Sequence, residues 1–242
     1  MGLQPQPWSP LADEPLPPGC RAVILPGGYP ELHAAQLAAS RRSLGDLATA
    51  AAAGLPLLAE CGGLLLLGQQ LHDADDKPQP MAGVLPFRAR RGALSLGYRQ
   101  AEALSDGLLV RRGERLVGHE FHRWQLLETP LNHGPGPEGW RDQPPAVPAT
   151  SAAGSARAAG AVAVNPHNTP MTEPQRLWQL EGWGSPRRPE GWTTTHIHAT
   201  WLHLHWAGCP VIPWRLAAAS ASAAPLPRNA ASSPPRNRAR RP

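Results

Sequence analysis

Apolar positions along the chain fall into short runs broken by turn residues. Residues 21–25 (RAVIL) run straight into Pro26-Gly27-Gly28. An apolar run of that length ending in turn residues predicts a buried strand entering a tight loop. Residues 31–53 are rich in Ala and Leu with no internal proline, which predicts one or two helices. Residues 55–59 (LPLLA) predict a second buried strand, Glu60-Cys61-Gly62-Gly63 a sharp turn, and residues 64–71 (LLLLGQQL) a helix. Strand, helix, strand, turn, helix is the alternation of an α/β fold with parallel strands. From Met81 to Leu127 the pattern changes to strand-like runs over 81–86, 94–102, 115–121 and 123–127, separated by Gly and Arg clusters.

Two regions lose periodicity. Residues 132–175 hold PGPEG, a long Ala/Pro/Ser stretch and NPHNTP, which predicts a disordered insertion. Order is expected to return at 177–183 and 192–206. The Pro-rich stretch 1–19 reads as an irregular lead-in and the Arg/Ala/Pro-rich 215–242 as a disordered tail. One domain over 20–214 is therefore expected, with no internal repeat.

Composition changes this picture in one respect. The 30 prolines and 24 glycines among 242 residues fit a chain with unstructured additions. A net charge of +5 invites a nucleic-acid reading. However, residues 215–242 carry six arginines and no acidic residue, so the charge belongs to the tail and the remainder is near neutral. No nucleic-acid partner is expected from it. No apolar run approaches the ~20 residues that span a bilayer, so no membrane partner is expected. Met1–Pro18 lacks the basic and apolar stretches of a secretory signal. The three cysteines are an odd number and widely spaced, against a disulfide framework. Together these predict a cytoplasmic protein.

The candidate chemistry centres on Cys61. A cysteine between a buried strand and a helix is presented on a sharp turn, and the glycines after it admit strained backbone and close approach of a substrate. A helix N-terminus is expected to lower the thiol pKa. The Gly62 amide, with a second donor from Pro26-Gly27-Gly28, is placed to stabilise an oxyanion. Cys20 and Cys209 lack that context and read as incidental.

A cysteine nucleophile needs a base. His196, His198, His203 and His205 offer four. If 196–206 is one extended strand, alternation puts His196 and His198 on one face and His203 and His205 on the other. The four cannot converge on one metal, and no Cys, Asp or Glu lies nearby at zinc spacing. His119-Glu120-Phe121-His122 spaces its histidines at i and i+3 on a strand-like segment, which excludes a zincin helix with its i, i+4 pair.

Several ordered motifs carry a family resemblance: residues 9–31 (SPLADEPLPPGCRAVILPGGYPE), AECGG at 59–63, MAGVL at 81–85, GYR at 97–99, GHEFH at 118–122 and LHLH at 202–205. Over about 8–127 and 177–214 the chain resembles the C-terminal glutamine amidotransferase domain of the cobyrinate and hydrogenobyrinate a,c-diamide synthases. The resemblance implies a class I glutaminase, a flavodoxin-like α/β sandwich with a mostly parallel central sheet. It implies Cys61 as the nucleophile that forms a thioester with glutamine, His203 as general base, and Gly27, Gly28 and Gly62 as the oxyanion region. His205 stands where many relatives carry an acid; on one face with His203 it could orient that base but not supply a negative charge. His119, Glu120 and His122 of GHEFH are expected near the acceptor side, and no metal site is expected.

Complete members add a P-loop ATPase domain, and this chain contains no G-x-x-x-x-G-K-[ST]. ATP and Mg²⁺ are expected only with that domain, either as a separate P-loop ATPase subunit or as a missing part of a fragment or decayed gene. The implied partners are glutamine and a corrinoid acceptor. The alternatives are a catalytically inactive or regulatory amidotransferase-like domain, another corrinoid amidase such as cobyric acid synthase, and nucleic-acid binding through the tail.

Overall fold

The computed structural model describes residues 3–128 and 173–226. Its first half follows the predicted alternation. β1 (Val23–Leu25) leads through a 3₁₀ turn at Pro30–His33 into α1 (Ala34–Ala39) and α2 (Arg41–Ala52). β2 (Leu57–Glu60) then reaches the Cys61 turn and the single turn of α3 (Gly62–Leu65). Two short strands follow, β3 (Gln70–His72) and β4 (Pro78–Pro80). The second half is built on long strands: β5 (Phe87–Ala103), β6 (Arg115–Glu128), β7 (Gln175–Gly182) and β8 (Ser185–Thr193). The short β9 (Ile197–Thr200) and β10 (Leu202–His203) precede α4 (Val211–Ser222).

Among the described residues these strands form one sheet in the order β1-β2-β9-β8-β7-β5-β3-β4, with β6 on β5 and β10 on β6. The pairs β1–β2, β2–β9 and β3–β5 are parallel. The other six are antiparallel. The α/β class is as expected, but the sheet is mixed rather than mostly parallel. Parallel pairing requires a crossover, and for β1–β2 it is supplied by α1 and α2.

β2 shows how the sheet separates two cores. Leu57 and Ala59 face α1 and α2 with Leu37, Leu44 and Leu47. Leu58 faces the other way, into a cluster with Trp178, Leu180, Ile212 and Leu216 beneath α4. Successive strand residues point to opposite faces, so a run buried on both sides reads as continuously apolar.

Five expectations about the elements are corrected. The helix expected at 64–71 ends at Leu65, and Gln70–His72 is a strand. Gly68 packs so closely on Phe87 that a Cβ there would stand 2.4 Å from the ring. Residues 81–86 form no strand, although Met81, Ala82, Val84 and Leu85 are buried. The runs 94–102, 115–121 and 123–127 belong to two long strands, whose pairing shifts register between Arg91 and Ser95. Finally, the expected tail starts too early. Residues 215–222 are helical, because Ile212, Leu216 and Ser220 recur every four residues and are buried. Arg215 also makes a two-pronged ion pair with Glu114, at 2.6 and 2.7 Å. The strands resume at Gln175, inside the expected insertion. Residues 132–172 and 227–242 lie outside the described residues.

His198 is the exception in the second core. It is fully buried beside Trp178, ring centroids 5.8 Å apart, and neither ring nitrogen has a hydrogen-bond partner among the described residues. Burial pushes its pKa down to about 3 from 6.5. The folded chain therefore binds fewer protons than the unfolded one, and stability is lost as pH falls from 6.5 toward 3. At about 1.4 kcal/mol per pH unit, this group costs about 2 kcal/mol at pH 5. His198→Leu should remove that term. Denaturant melts at pH 7.5 and pH 5 should show the variant gaining on the wild type by roughly this amount at the lower pH.

Candidate active site

The parallel strands β1, β2 and β9 end side by side, and their C-terminal ends carry the site. Open α/β sheets bind ligands at such ends. Leu25 pairs with Ala59, and Glu60 with Thr200. The loops beyond are therefore Pro26-Gly27-Gly28, the Cys61 turn and Trp201.

Cys61 has φ 49° and ψ −116°, a left-handed backbone that a non-glycine residue rarely adopts. Its amide donates to the Thr200 carbonyl at 2.8 Å, and the Leu64 amide donates back to the Cys61 carbonyl at 3.0 Å. The turn is locked by close backbone approach. A Cβ at Gly62 would stand 2.2 Å from the Gly28 carbonyl oxygen, and one at Gly63 would stand 2.1 Å from that of Leu25. Both positions admit only glycine, which is why the cysteine is followed by two.

One cavity of about 560 Å³ holds Cys61, His203, Gly27, Gly28, Gly62 and His122. His203 arrives from β10, which pairs with β6 so that His203 stands opposite His119. A methyl group at Gly27 would meet both partners, lying 2.6 Å from His203 Cε1 and 3.6 Å from Cys61 Cβ. The missing side chain thus leaves thiol and imidazole facing the same space. The Cys61 thiol also donates to the Phe121 carbonyl at 3.6 Å.

The electrostatics favour the neutral form of both groups. Burial pushes the thiol pKa up, and the charges of Glu31 and Glu60 add to this against the opposing amides of Gly62 and Gly28. The expected lowering by a helix N-terminus does not prevail, since α3 is a single turn. Burial, together with the charges of His119 and His122, pushes His203 below its ordinary 6.5. A neutral thiol beside a neutral imidazole is poised for proton transfer during attack rather than before it. Glu60 is half-buried, and burial pushes it up to about 7 against the opposing Leu204 amide. That amide ties the Cys61 turn to the residue after His203.

His205 does not join His203. It is exposed and lines a separate cavity of about 510 Å³, with Gln100, Arg115 and Cys209. No hydrogen bond links the two histidines among the described residues. The expectation of one extended strand over 196–206 fails at Trp201. Glu190 accepts from the Thr200 hydroxyl at 2.7 Å and from the Trp201 amide at 2.8 Å, which ends β9. β10 then ends at His203, so alternation does not extend to His205.

GHEFH divides its roles. His119 packs edge-on against Tyr98, with ring centroids 5.2 Å apart. His122 lines the Cys61 cavity and stacks on Trp201 at 3.9 Å. Glu120 is fully buried and lines neither cavity, so the three do not form one cluster. Its carboxylate accepts from Ser95 at 2.8 Å, Arg99 at 2.9 Å and Arg188 at 2.5 Å, and pairs with His122 Nε2 at 2.9 Å. Burial alone would raise its pKa. The His122 hydrogen bond, the Arg188 charge and the Ser95 hydroxyl outweigh it and hold the carboxyl well below the usual range. The residues alone did not point to Ser95 and Arg188, because they converge only when β5 and β8 curl onto β6. Glu31 was missed as a cavity residue although it closes the quoted PGGYPE stretch.

Glu120 therefore ties together three strands and the ring that walls the Cys61 cavity. Removing one partner of a buried ion pair typically costs 3–5 kcal/mol, because the other charge is left uncompensated. Glu120→Ala should lower stability by about this much in a denaturant melt.

Residues 3–133 match the family described as CobB/CobQ-like glutamine amidotransferase domain. Cobyrinate a,c-diamide synthase of Synechococcus sp. is 33% identical over 205 residues, covering 84% of this chain and 36% of the relative. The Gloeobacter violaceus protein of the same name is 35% identical over 85% of this chain and 35% of its own. Hydrogenobyrinate a,c-diamide synthase of Streptomyces coelicolor is 35% identical over 86% and 33%. The chain spans about a third of the length of these relatives. A crystal structure of a glutamine amidotransferase aligns over 83% of this chain and 79% of its own, at 15% identity and TM-score 0.47.

Proposed function

Because the chain belongs to the CobB/CobQ-like glutamine amidotransferase domain family, we propose that it hydrolyses glutamine at Cys61 and delivers the ammonia to corrin amidation. The observation that carries this reading is the single cavity holding Cys61, His203 and the Gly28 and Gly62 backbone.

Each step follows from groups in that cavity. His203 accepts the thiol proton as Sγ attacks the side-chain carbonyl carbon of glutamine. The Gly28 and Gly62 amides, which already act on the sulfur, face the oxyanion of the tetrahedral intermediate. The carbon–nitrogen bond breaks, the imidazolium returns its proton to the leaving nitrogen, and ammonia departs from a thioester on Cys61. A water molecule deprotonated by His203 attacks that thioester. Glutamate leaves and the thiol is restored. One glutamine and one water give one glutamate and one ammonia. His205 takes no part, so Cys61 and His203 act as a pair. Amidation of the a and c acetate carboxylates of cobyrinate or hydrogenobyrinate would draw on ATP and Mg²⁺ bound by an ATPase part outside this chain.

Glutamate release is the measurement. Cys61→Ser and His203→Ala should each lower it by ~10³-fold or more, since nucleophile and base act as a unit. His205→Ala should stay within about twofold of wild type, as expected of a residue outside the cavity. A base works deprotonated, and His203 sits below 6.5, so the acid limb of kcat/KM should have its midpoint below pH 6.5. Absence of glutamate release from the intact protein, both alone and with an ATPase partner, would overturn this reading.

A further inference from the structure

We propose that Glu31 is the residue that recognises the α-ammonium group of the amino acid bound beside Cys61. This rests on the glutaminase reading above and deepens it by naming what selects the substrate.

The charge pattern of the cavity carries the argument. Apart from histidines, the lining holds two ionisable charges, Glu31 and Arg123. They are opposite in sign, and neither has an ion-pair partner among the described residues. A cavity of about 560 Å³ with one unpaired anion and one unpaired cation suits a small zwitterion rather than a simple amide. Of the two, only the carboxylate can hold an ammonium group. Glu31 stands in the 3₁₀ turn directly after the Gly27-Gly28 loop, so the segment that walls the thiol also positions the anion. Pro30 is buried and holds that turn in place.

The placement has a second consequence. Glu31 is half-buried, and its pKa is pushed up by burial. Its charge also helps keep the Cys61 thiol protonated. A bound ammonium would stabilise the Glu31 carboxylate and cancel its field at the sulfur. The thiol would then ionise more readily when an amino acid occupies the cavity than when it is empty.

The test compares L-glutamine with glutaramate, which has the same side-chain amide and carboxylate but no α-amino group. Binding to the full chain is read as protection of Cys61 from alkylation by iodoacetamide, so the comparison does not require turnover. A charge-assisted hydrogen bond predicts that wild type prefers glutamine roughly 10- to 100-fold. Glu31→Gln should bring that preference close to 1. Equal protection by the two amides in wild type, no protection by glutamine, or an undiminished preference in Glu31→Gln would overturn the assignment. Should that variant fail to fold, Glu31→Asp takes its place: its shortened carboxylate should lower the glutamine preference, and an unchanged preference would overturn the assignment. Glutamate release is scored separately. Glutamine selectivity without glutamate release would sink the glutaminase reading and leave the Glu31 assignment standing, whereas release without selectivity would do the reverse.

Discussion

Nothing larger than hydrogen fits between the Cys61 turn and the backbone that follows β1. Gly62 lies against the Gly28 carbonyl and Gly63 against that of Leu25, and either contact with a Cβ would fall near 2 Å. This contact fixes what the rest of the site needs. It holds Cys61 in a left-handed conformation whose cost, on the order of 1–3 kcal/mol, persists only where neighbours over-determine it. It brings the Gly28 and Gly62 amides to bear on one sulfur. Finally, it places Gly27 where any side chain would collide with the His203 ring. Strand pairing from Leu25 through Ala59 to Ala199 supplies the rigid floor on which these loops meet.

Two buried glutamates frame that floor and behave oppositely. Glu120 has guanidinium and imidazole partners, and its carboxyl is held low. Glu190 is also buried, but its direct partners are a hydroxyl and an amide, and burial pushes its pKa up to about 7. Residue type does not decide the charge of a buried carboxyl; the partners do. Their structural tasks differ accordingly. Glu120 uses its charge to hold β5, β6 and β8 around the His122 ring. Glu190 needs only acceptor oxygens, with which it ends β9 and turns the chain toward His203.

Local features were legible in the sequence, whereas features made by distant segments were not. The Cys61 turn could be read because the strand before it and the glycines after it are adjacent in the chain. The first α/β alternation was readable for the same reason. The histidines were harder, because alternation sorts them correctly only while the strand continues. Glu190 interrupts that strand from ten residues upstream, and no periodicity in 196–206 reports it. His203 was identified by resemblance to a family rather than by spacing. The helix α4 was lost for a different reason. Its Ala/Ser composition looked like low complexity and concealed a four-residue spacing of buried positions. The sheet's antiparallel half was under-read because the Gly and Arg cluster at 88–92 suggested a break, where the structure has a register shift within one long strand.

The surroundings of Cys61 and His203 hold both groups in their uncharged forms. The thiol is pushed up and the imidazole down, so the uncharged forms of both are favoured. A permanent thiolate–imidazolium pair would be exposed to solvent and to adventitious electrophiles, since thiolates rather than thiols react. In the proposed reaction a neutral pair becomes charged only as the sulfur attacks, when the developing oxyanion meets the Gly28 and Gly62 amides. The same carboxylates that suppress the thiolate, Glu31 and Glu60, flank the turn at its entrance and its base. Any ligand that neutralises Glu31 shifts that balance toward reaction. If Glu31 holds the ligand's ammonium group as proposed, selectivity and activation share one residue, and His203, which has no acidic partner among the described residues, does not depend on one. On that proposal, the charge that an acid behind the imidazole would supply permanently is adjusted instead by what occupies the cavity in front of the sulfur.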